Sequence, residues 1–483
     1  MYIGVDLGTS AVKLLLMDDD GQIVKSISKE YPISFPRDGW SEQNPEDWYE
    51  QSVAGIRELA QGCEGRIDGI GVGGQMHGLV TLDEDDRVIR PAILWNDGRT
   101  GEEVDYLNNV IGKNKLSEYT GNIAFAGFTA PKILWMKKNE PENFGKIKRI
   151  MLPKDYIVYR FTGISSSDYS DAAGMLLLDT KNKKWSQEMI DICGISKEML
   201  PKLYESYDVV GSVKASVMDE LGLSGEVKVV AGAGDNAAAA IGTGACGAGK
   251  CNLSLGTSGT IFITSDKYAV DDNNSLHSFC HADGGFHLMG CMLSAASCNK
   301  WWMDDVLSDS DYAAEQAKMT KLGKNNVYFL PYLMGERSPY NNPALRAAFM
   351  GMRMDTTRED MSLAVLEGVA FGLRDSLEVA RSLGIEVKES TICGGGAKSP
   401  LWRKIIAAVM NLKLLIVEND EGPALGGAIL AAVGCGKYKD VQEAKEKIIR
   451  YKEEILPDAE LVAAYEERYS EYKKLVAAVL PLY

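Results

Sequence analysis

The residues best suited to chemistry in this 483-residue chain are two aspartates and two copies of one short turn. The tetrapeptide LGTS occurs at 7–10, after Asp6, and again at 255–258, after Ser254. A Gly-Thr-Ser turn between strands offers backbone N–H groups and hydroxyls in a small concavity, a nest suited to phosphate oxygens. Gly8, Thr9 and Ser10, and likewise Gly256, Thr257 and Ser258, are therefore candidate phosphate-binding residues. Asp6 ends the first preceding strand, where it is placed to hold a hydrated Mg²⁺, an ion that favours one or two carboxylates plus substrate phosphates. Lys13, on the returning strand, adds positive charge. Two such hairpins facing each other form a clamp on a nucleotide's phosphates.

The second aspartate, Asp235, stands in the small apolar tract AGAGDNAAAA. A lone carboxylate there is costly unless it has partners or work, and its small neighbours leave room for a ligand. A helix-capping role is the structural alternative. A further glycine turn, Gly394, Gly395 and Gly396 within CGGGAKS, lies between a strand-like and a helix-like segment. There the backbone can pass close to a flat ligand such as adenosine, with helix N–H donors beyond.

These residues need elements to position them, and the surrounding patterns supply an α/β chain. YIGVDL, AVKLLLMD and QIVKSISK read as a β-meander, and CNLSL–GTSG–TIFITSD repeats its beginning. A repeat this widely spaced fits a duplicated domain rather than a solenoid. The spacing predicts helices over 44–63, 357–384 and 399–412, with strands over 67–74 and 390–396. From about 437 the charge-rich chain reads as packing helices. Two domains, 1–245 and 246–483, follow.

Composition narrows the function classes. With 45% hydrophobic and 25% charged residues the chain is globular. A formal charge of −16 argues against nucleic acid. Nine scattered cysteines without a CxxC pair fit reduced thiols in the cytoplasm. No signal peptide or membrane span is expected.

Three motifs are decoys. GACGAGKC (244–251) lacks the Ser or Thr of a P-loop and runs from a helix-like tract into a strand. GTGACG (242–247) has the same wrong context and reads as a glycine-rich hinge. His277, Cys280, His281 and His287 lack the paired spacing of a zinc site and read as strand and turn residues.

Four of these segments, in fixed order, resemble the FGGY carbohydrate kinases over nearly the whole chain. The family's two signatures are similar to GFTAPKILWMKKN (127–139) and AAFMGMRMDTTREDMSLAVLE (347–367). GQMHG, RPAILWNDGR, LPKDY, SDAAG, GDNAA, HSFCHA, MLSAAS and FLPYLMGERSP bring the likeness nearest to members that act on D-xylulose. The resemblance implies two duplicated actin-like ATPase (ribonuclease H-like) domains with a nucleotide cleft between them. It also implies ATP and Mg²⁺ as cofactors and phosphorylation of D-xylulose to its 5-phosphate, with another ketose or gluconate as the alternative. It makes Asp235 the catalytic base and Asp6 the magnesium-associated carboxylate. Met76, His77 and Asn236 become sugar-binding residues, Met76-His77 standing where glycerol kinases carry Arg-Glu. Ala233 replaces a glycine common in relatives, which puts only local pocket shape in question. A homodimer fits the resemblance.

Overall fold

The computed structural model describes residues 1–419 and 421–483. Its framework is two seven-stranded sheets, one built from strands between Tyr2 and Gly234 and one from strands between Lys250 and Ile455. Six strands of each correspond in position and direction. In the first, Tyr2–Leu7 pairs antiparallel with Ala11–Met17, which pairs antiparallel with Ile23–Glu30. On its other side Tyr2–Leu7 runs parallel to Gly69–Gly74, then Lys228–Val230 follows in parallel and Val209–Ser212 closes the edge antiparallel. The second sheet repeats this with Lys250–Leu255, Gly259–Ser265 and Phe286–Met292 on one side. Glu389–Cys393, Lys413–Val417 and Tyr451–Ile455 stand on the other. In chain order five of the six match, the antiparallel edge strand preceding its neighbour in the first sheet and following it in the second, so the repeated tetrapeptide is the visible trace of a repeat five strands wide.

The helices form where the sequence carries their end signals. Asn44 caps Pro45–Ala60, accepting from the Glu46 amide, with Pro45 in the first turn. Thr357 and Asp360 form a capping box for the 25-residue helix Arg358–Ser382. Ser399 caps Pro400–Met410. Each helix buries an apolar face, such as Trp48 and Ile56, or Leu366 and Phe371.

The all-helical reading of the C-terminal stretch needs correction. Helices do span Val441–Ile448 and Ala459–Val479, but Tyr451–Ile455 between them is the edge strand of the second sheet. Its sequence, YKEEI, has weak strand character. An edge strand with an open face tolerates Lys and Glu, and pairing to Lys413–Val417 decides its conformation.

One helix crosses between the sheets' territories. Gly422–Gly434, late in the chain, packs on Tyr2–Leu7 and Gly69–Gly74 of the first sheet and on the helix Asp235–Thr243. The approach is backbone to backbone, so a Cβ on Gly71 would sit 2.1 Å from the Gly427 carbonyl oxygen and one on Gly426 1.9 Å from that of Ala238. Gly426→Ala is therefore expected to destabilise the protein by about 1–3 kcal/mol through overpacking. A lowered thermal midpoint checks this. Among the described residues no helix is long and apolar enough to cross a membrane.

Candidate active site

The two LGTS hairpins lie at corresponding corners of the two sheets but differ in register. Leu7 pairs with Val12 and Asp6 with Lys13, leaving four residues in the first turn; Leu255 pairs with Gly259 and Ser254 with Thr260, leaving three in the second. Thr260 is thus the partner that corresponds to Lys13. Both loops are held by their carbonyls. In the first, Gly8 O accepts from Tyr31 Oη and from Gln75 Nε2 (3.3 Å), and Thr9 O from Gln43 Nε2 (2.7 Å). In the second, Gly256 O accepts from the Ala296 amide (2.9 Å) and Thr257 O from the Ala295 amide (3.0 Å) and Ser297 Oγ (2.7 Å).

The Gly8 amide itself donates within the turn, to Asp6 O and Ala11 O at 3.1 Å each. The Gly8 amide is thereby engaged, which leaves the amides and hydroxyls of Thr9 and Ser10 as the candidate donors of the first hairpin. Trp95 Nε1 donates to Thr9 Oγ1 at 3.0 Å. Lys13 is not an unpaired cation: its Nζ lies 3.3 Å from Glu421 Oε2, contributed by the second half of the chain.

Asp6 and Asp235 come together at the carboxyl ends of the parallel strands. Asp6 is in register with Gly73, and Ala233–Gly234 pairs with Gly73 and Gly74, so the chain enters Asp235 beside the Asp6 row. Asp235 is the first residue of helix Asp235–Thr243, with Gly234 as its cap. The capping alternative therefore fails: no side chain caps this helix. Its Oδ1 accepts from the Asn236 amide (2.7 Å) and Asn236 Nδ2 (3.0 Å). Burial pushes the Asp235 carboxyl up to about 6, against the Asn236 amide. Asp6 is pushed up to about 7, first by burial and then by the negative charge of Asp235, with Lys13 opposing. Desolvation is the leading cause for both carboxyls, and the negative charge of Asp235 adds to the rise at Asp6.

Met76 and His77 stand next to this pair. Asn236 Nδ2 lies 3.9 Å from Met76 Sδ, which ties the acid to the Met-His segment. His77 has φ +71°, a left-handed conformation uncommon for a residue with a side chain. Its Nδ1 donates to Gly174 O at 2.7 Å, which leaves Nε2 as an acceptor. Burial, with nearby Lys132, pushes its pKa down to about 3, so the ring is neutral at physiological pH. Its carbonyl is held by Lys132 Nζ (2.9 Å) and Thr129 Oγ1 (3.0 Å).

The second hairpin and the glycine turn share a cavity of about 680 Å³, lined among others by Thr257, Asn299, Tyr312, Gly395 and Trp402. Gly256 and Gly396 also line it, whereas Gly394 and Ser258 do not. Gly394, at φ +90°, serves packing, since a Cβ there would lie 2.7 Å from Leu255 backbone atoms. The cavity size and flat apolar wall suit a nucleoside. The histidines of the decoy cluster pack on aromatic rings. His287 stacks on Phe262 (3.8 Å between ring centroids) and His277 on Phe279. Among the described residues no group of three or more His, Cys, Asp or Glu is placed to hold a metal.

Sequence reasoning assigned no role to the residues behind the site. Lys154, fully buried, lies 2.6 Å from Asp155 Oδ1 and 2.9 Å from Asp168 Oδ1. Asp168 Oδ2 accepts from Ser170 Oγ (2.5 Å) and Ser206 Oγ (2.7 Å), and Ser170 Oγ accepts from the Gly234 amide (3.2 Å). This network fixes the backbone immediately before Asp235. Charged letters in LPKDY and SDAAG, inside otherwise buried segments, were its only signal.

Comparison with known proteins decides the family. Residues 1–242 match the N-terminal domain, and residues 251–435 the C-terminal domain, of the FGGY family of carbohydrate kinases. The chain belongs to the FGGY family of carbohydrate kinases. It is 40% identical to the xylulose kinase of Escherichia coli (strain K12), with all of both chains covered. Among solved structures it resembles a "xyloylose kinase" from Brucella ovis, at 38% identity, TM-score 0.94 and full coverage of both chains. It also resembles a gluconate kinase from Lactobacillus acidophilus, at 28% identity and TM-score 0.93, covering 99% of this chain and 97% of that one. This FGGY chain therefore has the two-domain α/β architecture of the actin-like ATPase type, and it is a sugar kinase.

Proposed function

We propose that the protein transfers the γ-phosphoryl group of ATP to the terminal hydroxyl of D-xylulose, giving D-xylulose 5-phosphate. The observation that carries this is the Asn236 bridge: one side chain contacts both the buried acid Asp235 and Met76 of the Met-His pair. It sets a proton acceptor beside the Met76-His77 segment at the carboxyl ends of the first sheet's parallel strands. The likeness to xylulose kinases over the full chain supports D-xylulose as the sugar.

In this reading Asp235 accepts the proton of the C5 hydroxyl as that oxygen attacks the γ-phosphorus in line. Asn236 orients the carboxylate through Oδ1, and neutral His77 accepts from a sugar hydroxyl through Nε2. Thr9, Ser10, Thr257 and Ser258 hold phosphate oxygens, and the 680 Å³ cavity takes the adenosine. The half spanning 1–245 binds sugar and that spanning 246–483 binds nucleotide. Asp6 is the carboxylate for Mg²⁺; a donor set of one or two buried carboxylates with raised pKa values fits a divalent ion completed by phosphates rather than an all-protein cage. The ion, when bound, neutralises charge on the transferring group. Closure of the halves excludes water and limits wasteful ATP hydrolysis.

An ADP-coupled assay over a panel of ketoses, polyols and aldonates tests the reading. D-xylulose is expected to give the highest kcat/KM; a higher value for gluconate or another ketose refutes the assignment. ATP turnover that is independent of every sugar would favour an actin-like ATPase without a sugar substrate. The pH profile is a second test. The base must be deprotonated, so kcat/KM is expected to fall as pH drops through about 6 to 7 and to level above it. A profile flat from pH 5 to 8 would remove Asp235 from the reaction.

A further inference from the structure

The other well-buried arginines that hold the fold are matched to carboxylates: Arg99 with Asp97 and Glu42, Arg468 with Glu367, Arg374 with Glu466. Arg337 departs from this rule. No described carboxylate lies within salt-bridge distance of it, and its Nε is buried without a partner. The neighbouring acid, Glu336, does not serve it. The Glu336 Oε1 accepts from the backbone amides of Leu293 (2.9 Å) and Arg337 (2.8 Å), which pins the loop instead. The next amide, Ser338, donates to Cys291 O at 2.9 Å, so the backbone is held on both sides of Arg337. A guanidinium carries five donors, and leaving a partly buried one unpaired is costly unless a ligand completes it.

Its surroundings say which ligand. The Arg337 guanidinium carbon lies 3.9 Å from the ring centroid of Phe125 and 6.0 Å from that of Phe128, both in the first half, while Arg337 belongs to the second. Phe128 in turn contacts the His77 ring at 4.8 Å between centroids. His77 and His277, the titratable groups that share this wall, are held neutral by burial and by Arg337 itself, so neither offsets its charge. The Cys291 thiol beside it is pushed up and stays protonated. The order of contacts runs from Asp235 through Asn236 and Met76 to His77, and from the His77 ring through Phe128 to Arg337, so the guanidinium stands beyond His77 on the side away from Asp235 in this series.

We propose that Arg337 is a specificity-determining residue whose guanidinium donates across the cleft to the oxygens on C1 and C2 of the ketose. This rests on the sugar-kinase reading above and adds to it how the far end of the substrate is recognised. A planar fork matches two adjacent acceptor oxygens better than an ammonium does. Because the donor comes from one half and the aromatic wall from the other, sugar binding also draws the halves together.

The test uses the full-length enzyme and whichever panel sugar the wild type turns over best, so that a wrong substrate assignment is recognised before Arg337 is judged. Arg337→Met and Arg337→Lys are compared for sugar KM, ATP KM and thermal midpoint. Arg337→Met is expected to raise sugar KM about 10- to 100-fold, the range for losing a charge-assisted hydrogen bond, with ATP KM within about twofold of wild type. Arg337→Lys is expected to recover only part of the loss. Wild type is also expected to discriminate about tenfold against the analogue lacking the C1 hydroxyl, and Arg337→Met to lose that discrimination. Retained discrimination, an unchanged sugar KM, or an effect confined to ATP KM overturns the proposal. If Arg337→Met fails to fold, the discrimination measured in Arg337→Lys decides: a ratio equal to wild type overturns it and a smaller ratio supports it.

Discussion

Asp235→Asn is expected to lower sugar phosphorylation by about 10²- to 10⁴-fold in kcat, the range that general-base assistance supplies, while ATP binding is retained. The substitution keeps size and one acceptor oxygen, so the Asn236 contacts on that oxygen persist and the change isolates proton acceptance. Steady-state kinetics with a nucleotide-binding titration checks it. Turnover within tenfold of wild type would refute the base role. The same substitution carries a stability signature of the opposite sign. The Asp235 pKa is raised on folding to about 6, so its favourable contribution is complete below the unfolded value near 4 and is lost as pH rises through 6. Asp235→Asn is therefore expected to equal wild type in thermal midpoint at low pH and to exceed it at pH 8.

The second large effect is an asymmetry between the hairpins. Asp6→Ala is expected to reduce kcat by about 10²-fold or more, comparable to removing a preorganised group from the transition state. Ser254→Ala, at the matching position of the second sheet, is expected to cost no more than about fivefold, the worth of one neutral hydrogen bond. Asp6 lies near Asp235 and is raised to about 7 by desolvation first and then by the charge of Asp235, a situation that favours a cation at this pair. No charged group corresponds to it at Ser254, whose cross-strand partner is Thr260 rather than a lysine. Activity titrated against Mg²⁺ separates the effects: Asp6→Ala should shift the midpoint to higher magnesium and Ser254→Ala should leave it in place. Equal losses from the two variants would sink the one-sided clamp.

Much of the site was legible because its signals are local. A glycine turn between alternating apolar runs is recognisable from neighbours alone, and so are the helix starts at Asn44, Thr357 and Ser399, whose caps act within three residues. Asp235 stood out because one carboxylate interrupts a small apolar tract. The misread segment, Tyr451–Ile455, has no local signal of comparable strength, and its conformation follows from its partner strand. Gln43 and Gln75 were equally silent: each is an ordinary polar residue in sequence and acquires meaning only by reaching the Gly8 and Thr9 carbonyls.

By itself, the sequence determined the duplicated α/β plan, the two hairpins and the identity of the two aspartates, because turn chemistry and apolar periodicity are written over a few residues. Only the tertiary structure decided how those parts are charged and connected. It showed that Lys13 is paired to Glu421, that the Gly8 amide is already used, and that Gly394 packs rather than lines the cavity. It also raised Asp6 and Asp235 by desolvating both and setting the charge of Asp235 near Asp6, and left Arg337 without a carboxylate. The physical reason is common to all of these. Desolvation and charge–charge interactions depend on distances between residues hundreds of positions apart, and burial makes those distances decide which groups hold protons and which must wait for a ligand.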